Sequence, residues 1–317
     1  YTDLSSGRTI DLSFEPSPDL SLGIYVFNVF KPVKKLDVTA GFRLAGNFYQ
    51  IRLADKVTDE LLKPQGREII EPLFSGGMSY EAPSKTVFKA RVARGMSAPT
   101  LFQRFSAFAD IYNELKPEIA WGFDGVIQQY LFEKKIKFEA GYFYELKENH
   151  IDLDKSGKFS NRYRIENHGL EIALQTKDIY GFSLSASYTW IFKMNEFRIA
   201  SVEGRKYKES TDVLRRPAHT FNAVLNYELK KVFNVCLGLN YAGERADEVY
   251  NYPKTPYIVT AEEFVLLDIA LSYRINKYLT VFAKIENMLD NDNYAYSVEY
   301  GTAGITPWIG IKLDTGG

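Results

Sequence analysis

Along most of the chain, apolar and polar residues change places at every step. In Phe233-Asn234-Val235-Cys236-Leu237-Gly238-Leu239-Asn240-Tyr241 the odd positions are apolar and the even ones small or polar. A period of two marks a β-strand with one face in an apolar medium. The pattern returns from about Leu20 to the C-terminal end, each time as two such runs joined by a short turn and followed by a longer polar loop. The predicted pairs are Leu22–Phe30 with Leu36–Gln50, Pro72–Tyr80 with Val87–Arg94, and Ile119–Leu131 with Ile136–Leu146. Tyr163–Gln175 then pairs with Phe182–Ile191, Thr220–Leu229 with Val232–Tyr241, and Phe264–Tyr273 with Tyr278–Glu286, before a last strand over Ile305–Leu313. Phe182, Leu184, Ala186, Tyr188 and Trp190 against Ser183, Ser185, Ser187 and Thr189 is the clearest alternation.

This makes about thirteen strands, or about fourteen if Arg8–Phe14 is one, each near the ~10 residues of a tilted spanning strand. The expected fold is all-β: a transmembrane antiparallel up-and-down β-barrel, with residues 1–317 as one domain. A soluble β-sandwich also alternates, but its strands run nearer five or six residues. The short turns, such as Lys31-Pro32-Val33-Lys34-Lys35 and Lys230-Lys231, carry Lys and Pro. The long loops, near residues 54–69, 95–118, 147–161, 193–216, 243–262 and 288–303, carry Asp, Glu, Asn and Tyr. In bacterial outer-membrane barrels tight turns face the periplasm and long loops the exterior. Tyr188, Trp190 and Tyr241 at loop ends, with Tyr227 and Tyr273 at turn ends, continue the apolar face. Two interfacial girdles require that placement.

Composition narrows the functional classes. The mean hydropathy is −0.24 and no run of 18 apolar residues occurs, so no helix of this sequence spans a membrane. A net charge of −1 gives no reason to expect a nucleic acid or other polyanion. Cys236 is the only cysteine, so no intrachain disulfide forms, and it reads as a small lumen-facing residue or else a reactive thiol. The three histidines, His150, His168 and His219, are not at metal-ligand spacing. No Gly-rich phosphate loop and no Ser/His/Asp set stands out, so the sequence names no catalytic residue, metal ligand or cofactor and argues against an enzyme. Asp290, Asp292 and Glu299 are the one group of hard oxygen ligands that would suit Ca²⁺.

Binding is the chemistry that remains. Phe102, Arg104, Phe105, Phe108 and Tyr112 cluster in one long loop, and Tyr250, Tyr252 and Tyr257 in another. Aromatic rings beside an Arg hold a flat, anionic, partly apolar ligand by stacking and charge. The competing reading is loop–loop packing and girdle anchoring. Arg43, Lys89, Arg91, Glu139, Glu145, Asp268 and Glu286 fall on the polar face and are expected to point into the lumen.

Several segments resemble TonB-dependent outer-membrane receptors. Tyr25-Val26-Phe27-Asn28-Val29-Phe30-Lys31-Pro32 with Lys35-Leu36-Asp37-Val38-Thr39-Ala40-Gly41-Phe42-Arg43 is similar to the family's strand pair. Ala98-Pro99-Thr100-Leu101, Leu115-Lys116-Pro117-Glu118 and Asn167-His168-Gly169-Leu170-Glu171 resemble the family's motifs at strand ends and starts. So do Arg216-Pro217-Ala218-His219 and Ile285-Glu286-Asn287-Met288-Leu289-Asp290 with Tyr294. Physical reasons accompany three of them. Pro99 stops a strand because it cannot donate to a ladder, and Gly169 lets strands lie close. Glu286 and Asn287 end a strand where a carboxylate and an amide can tie a loop.

The resemblance implies the C-terminal part of a barrel of about 22 strands, in the outer membrane of a Gram-negative-type bacterium. It implies active import of a scarce chelate, a ferric siderophore or a cobalamin-like ligand. Haem is disfavoured, because residues 97–118 lack the His that haem-importing relatives place there. The implied partners are the lipid bilayer, a plug and N-terminal barrel strands supplied by the same or a separate chain, and the TonB complex acting through that plug. A start at Tyr1 and a small, polar end at Gly317 fit a processed chain or a fragment. Two rivals stay open: a self-closed passive channel of about fourteen strands, and a structural barrel subunit of an outer-membrane complex with transport lost.

Overall fold

The computed structural model describes residues 2–3, 8–9, 12–14, 19–55, 60–104, 115–153, 159–199, 207–210, 214–249, 257–292 and 302–314. Three short strands, β1 (Thr2–Asp3), β2 (Arg8–Thr9) and β3 (Leu12–Phe14), come first. Eight long ones follow: β4 (Asp19–Val33), β5 (Leu36–Asp55), β6 (Glu60–Glu81), β7 (Thr86–Ser97), β8 (Glu118–Leu131), β9 (Ile136–Leu153), β10 (Phe159–Thr176) and β11 (Phe182–Ile199). Among the described residues a single short helix, α1 (Leu101–Arg104), interrupts them. The chain continues through β12 (Tyr207–Ser210), β13 (His219–Leu229), β14 (Phe233–Ala242), β15 (Arg245–Val249), β16 (Tyr257–Ala261), β17 (Phe264–Arg274), β18 (Leu279–Glu286) and β19 (Thr306–Leu313).

One fifteen-stranded sheet holds nearly all of them, in the order β19-β18-β17-β14-β13-β11-β10-β9-β8-β7-β6-β5-β3, with β4 also on β5 and β12 on β11. The pairs of this wall are antiparallel and follow chain order, which is the up-and-down arrangement that alternating short turns and long loops predict. β15–β16 and β1–β2 form separate two-stranded ribbons.

The register carries the apolar alternation across the sheet. Phe42 lies opposite both Val26 and Phe74, and Leu170 opposite both Tyr142 and Trp190. Leu225 meets Leu184 and Leu237, and Ile269 meets Leu237 and Ile285. The resulting face stays bare, with Ile24 77% and Ile309 89% exposed. Among the described residues no second sheet packs on either face, since the extensive contacts of each strand are with its ladder neighbours. A sandwich would bury that face, and water would not tolerate one so wide. Lipid is the solvent that fits it.

The structure corrects several boundaries on the loop side. β5 runs to Asp55 and β6 starts at Glu60, so the loop expected at 54–69 is mostly strand. β9 and β11 likewise extend to Leu153 and Ile199. Beyond the bilayer both faces meet polar surroundings, so alternation fades while the backbone ladder goes on. Arg8–Phe14 divides into β2 and β3, segment 95–118 contains α1, and segment 243–262 contains the β15–β16 ribbon. On the turn side the expected ends fall within one residue, except that β4 runs to Val33.

The short turns have an unusual composition. Lys35, Lys85, Lys134, Lys230 and Lys231 all have positive φ, between 51° and 69°. Tight hairpins need such angles and normally place Asn or Gly there. A longer side chain in that region costs on the order of 1 kcal/mol or more.

Candidate functional site at the loop end of the wall

Most of the family-like segments tie down chain where the long loops leave the wall. β7 stops at Ser97, before Pro99. The Thr100 hydroxyl accepts the Gln103 N–H at 3.2 Å while Gln103 Oε1 accepts the Thr100 N–H at 2.9 Å, a reciprocal cap that starts α1. Arg104 is buried and donates Nε to the Pro99 carbonyl at 3.3 Å.

A second tie joins the starts of β8 and β10 to the end of β9. The Lys116 N–H donates to Asn161 Oδ1 at 2.8 Å, and Asn161 Nδ2 donates to the carbonyls of Lys116 and Asn149 at 3.0 and 2.7 Å. Glu118 accepts the Ile151 N–H at 2.9 Å and meets His150 Nδ1 at 2.5 Å. Glu118 stands at the far end of a fourteen-residue strand, past the ~9–11 residues that a span needs. Burial raises its pKa, but the bonds from His150 and Ile151 outweigh that and hold the carboxyl below the usual carboxylate range. Leu115, Ile119, Ile151 and Ile165 are buried at this end of the wall.

The third tie centres on Asn167, which is 2% exposed. Its Nδ2 donates to Glu145 Oε2 at 3.0 Å, and Arg216 Nη1 lies 3.8 Å from the same oxygen. The Phe143 ring lies over neighbouring Gly169, where a Cβ would sit 2.2 Å from that ring and 2.8 Å from the Trp190 carbonyl oxygen. Because the carbonyl belongs to the paired strand, it cannot rotate away. Gly169→Ala is therefore expected to destabilise the folded wall by about 1–3 kcal/mol, read as a lower urea midpoint of the heat-modifiable form on gels. An unchanged midpoint would mean that β10 and β11 can separate freely there.

On the apolar face the same level is aromatic. Phe74 meets Trp121 edge-on at 5.1 Å, Phe123 meets Tyr144 at 5.9 Å, and Tyr144 meets His168 at 4.7 Å. Trp190 reaches Phe192 at 5.5 Å and stacks on His219 at 6.1 Å. His168 and His219 each share a 2.7 Å hydrogen bond with a tyrosine hydroxyl, from Tyr142 and Tyr188 respectively. The belt thus satisfies the polar tips of amphipathic rings while keeping their bodies apolar.

Asn287 forms the fourth tie. Its N–H donates to Asp268 Oδ1 at 2.9 Å, its Nδ2 to the carbonyls of Asn291 and Ala303 at 2.8 and 3.1 Å, and its Oδ1 accepts the Asn291 N–H at 2.9 Å. Asp290 Oδ1 accepts the Ile305 N–H at 3.1 Å, just before β19. Glu286 is held by Lys284 and accepts the Trp308 indole N–H at 2.9 Å. Sequence reasoning did not find the fifth tie: Asp247, 0% exposed on β15, accepts from Arg215 Nε at 2.6 Å.

Of the proposed ligand-binding residues, Phe105, Phe108, Tyr112, Tyr250 and Tyr252 lie outside the described residues, and Phe102 is described only as the second residue of α1. Arg104 is buried in its own turn, and Tyr257 stands exposed on β16. On the polar face Arg43 lies across Gly23, Arg91 pairs with Asp124 at 2.8 Å, Lys89 donates to Gln128 at 2.7 Å, and Glu139 pairs with Lys137 at 2.9 Å. Cys236 sits on this face, opposite Asn226 and Ala270. Among the described residues no group of three or more His, Cys, Asp or Glu could hold a metal ion, and Glu299 lies outside them.

The family described as TonB dependent receptor-like, beta-barrel matches residues 7–288. The chain belongs to this family. As a TonB-dependent receptor barrel it is an outer-membrane protein of the Gram-negative type and not an enzyme. It is 27% identical over 151 residues to the iron-regulated outer membrane virulence protein of Vibrio cholerae, covering 47% of this chain and 21% of that protein. It is 25% identical over 218 residues to the vitamin B12 transporter BtuB of Vibrio cholerae, covering 68% and 33%. The chain thus spans a third or less of these curated relatives. Among solved structures, the ferric-catecholate import receptor Fiu of E. coli K12 superposes with a TM-score of 0.73 at 16% identity, covering 94% of this chain and 45% of that one. The copper transporter OprC superposes at 0.70 with 14% identity, covering 94% and 48%. These superpositions speak for the fold.

Proposed function

We propose that these residues form barrel wall and outer binding loops of an active importer of a scarce chelate, a ferric siderophore or a cobalamin-like ligand. The observation that carries this reading is the set of ties at the loop end. A wall alone needs no buried Asn167, Asn287 or Asp247; loops that must hold a ligand in fixed geometry do. The relatives support the choice of cargo, since their names speak of iron regulation, ferric-catecholate import and vitamin B12. The aromatic clusters around Phe102–Tyr112 and Tyr250–Tyr257 would stack on the ligand. Arg43, Arg91, Glu139, Asp268 and Glu286 would line the lumen against a plug, and TonB would drive release through that plug.

Among the described residues the sheet ends at β19 on one side and at β4 and β3, both paired with β5, on the other. An unpaired edge in lipid costs several kcal/mol per group, so further strands, of the same or a separate chain, would complete the wall. This favours the importer over a self-closed channel of about fourteen strands. The deciding experiment measures uptake of radiolabelled ferric siderophores and of cobalamin in cells with the native gene intact or deleted, each with and without a working TonB. Uptake that needs both genes is expected. Uptake independent of TonB, or ion conductance without ligand binding, would replace this reading with a passive channel.

A further inference from the structure

We propose that the short-turn end of the wall is a docking rim for anionic phospholipids, in which Lys35, Lys85, Lys134, Lys230 and Lys231 bind the lipid phosphates. The argument begins with what occupies the positive-φ positions. At the loop end these are Asn149, Arg215, Asn287 and Asp290, mostly the side chains that tolerate such angles best. At the turn end they are the five lysines together with Phe132, Glu133 and Tyr180. Asn or Gly would relieve the backbone at each of those places. A strained choice repeated in separate hairpins points to a use for the side chain.

The second observation concerns exposure. Phe132 is 73% and Tyr180 95% exposed at the tips of their turns, and Lys277 sits 4.7 Å over the Tyr278 ring. Bare aromatic rings interleaved with lysines suit neither bulk water nor hydrocarbon. They suit the headgroup layer, where rings settle at the interface and lysine stems lie along apolar surface with their ammonium groups on phosphate. Lys35 and Lys134 also border a cavity of about 690 Å³ on the polar face, together with Asp37 and Glu81. An acidic peptide seated there would explain those two lysines. It would not explain Lys230 and Lys231, which do not border it. Nor would it explain Lys85, which does not border it either; the membrane surface at the turn end is the one environment that long lysine side chains from all these hairpins can reach. This inference rests on the wall standing in a bilayer, and it is independent of the cargo.

The test uses the native polypeptide, extracted from outer membranes and reconstituted in phosphatidylcholine vesicles or in vesicles with one quarter phosphatidylglycerol. Enrichment of phosphatidylglycerol in the protein's lipid shell is measured by mass spectrometry, and unfolding by urea. The wild type is expected to concentrate phosphatidylglycerol, less so at high salt. Each Lys→Gly substitution at the five positions should weaken that preference, by up to about fivefold at low ionic strength. In phosphatidylcholine alone the Lys→Gly variants should unfold at the same or higher urea, because glycine relieves the turn. If the fivefold glycine variant does not insert, Lys→Gln at the same positions should lose the enrichment and Lys→Arg should keep it. Unchanged enrichment in the neutral variants overturns the proposal. So does a loss confined to K35G and K134G, which would assign the lysines to an acidic partner at the cavity. Equal destabilisation in both lipids would make them turn-forming residues only.

Discussion

Asn287→Ala is expected to loosen the junction of β17, β18 and β19 by about 4 kcal/mol. Three hydrogen bonds of a buried side chain are lost, to Asn291 twice and to Ala303, and each is worth about 1 kcal/mol net. Alanine also inherits a backbone with φ at 51°, which adds on the order of 1 kcal/mol of strain. Asn287→Gly removes the same bonds without that strain, so the two variants separate the terms. Asn287→Asp keeps the acceptor for the Asn291 N–H, loses both donors and adds a charge near Asp268. The order of stability expected is wild type, then Gly, then Ala. Hydrogen exchange of the Asn291 and Ile305 amides should quicken in each variant, because Asp290 receives the Ile305 N–H only while the 287–291 turn holds. The strand most affected should be β19, whose start follows directly. Slow exchange at Ile305 in Asn287→Ala would show that Asp290 organises the turn without Asn287.

The wall was legible in the sequence because lipid imposes a rule on every second residue. Phe182 to Trp190 and Leu36 to Leu44 alternate for that reason, and the register of β11 and β5 follows the alternation. What happens above the bilayer follows no such rule. Asp55, Glu60 and Asn195 belong to strands although their surroundings read as loop. The slip between His168 and Gly169, where Ile191 and Lys193 flank an extra residue, has no local signature either. Of the ties, the one at Glu286 and Asn287 could be anticipated from an amide and a carboxylate at a strand end. The one at Asp247 could not. Arg245-Ala246-Asp247-Glu248 reads as a solvated charge run, and the partner that buries Asp247 lies 32 residues earlier in the chain. The binding residues stay an expectation from composition, since most of the Phe102–Tyr112 and Tyr250–Tyr257 stretches lies outside the described residues.

Asp247→Ala is expected to release the β15–β16 ribbon while leaving the wall intact. Breaking one partner of a buried charge pair typically costs about 3–5 kcal/mol, and Asp247 is the buried member of this one. The ribbon forms its own two-stranded sheet, and a lone hairpin is marginal in water. Its remaining anchors include the Arg215 N–H on the Ala246 carbonyl at 2.7 Å and Arg245, which reaches the Glu262 carbonyl at 3.4 Å and lies over the Phe264 ring. Hydrogen exchange at Asp247 and Val259, which face each other across the ribbon, should rise steeply. The heat-modifiable gel shift should not change, because no wall strand pairs with β15 or β16. Replacing both partners, Asp247→Leu with Arg215→Met, should recover most of the loss, since a well-packed apolar pair often matches a buried ion pair. A double-mutant cycle then gives the coupling directly. Function should follow the ribbon: with Tyr257 carried on β16, chelate affinity should fall in Asp247→Ala and return in the double variant. If affinity falls and stays low when the ribbon is restored, the charge itself contacts the ligand. If affinity never changes, the 243–262 loop lies outside the binding surface and the stacking role assigned to Tyr250, Tyr252 and Tyr257 is wrong.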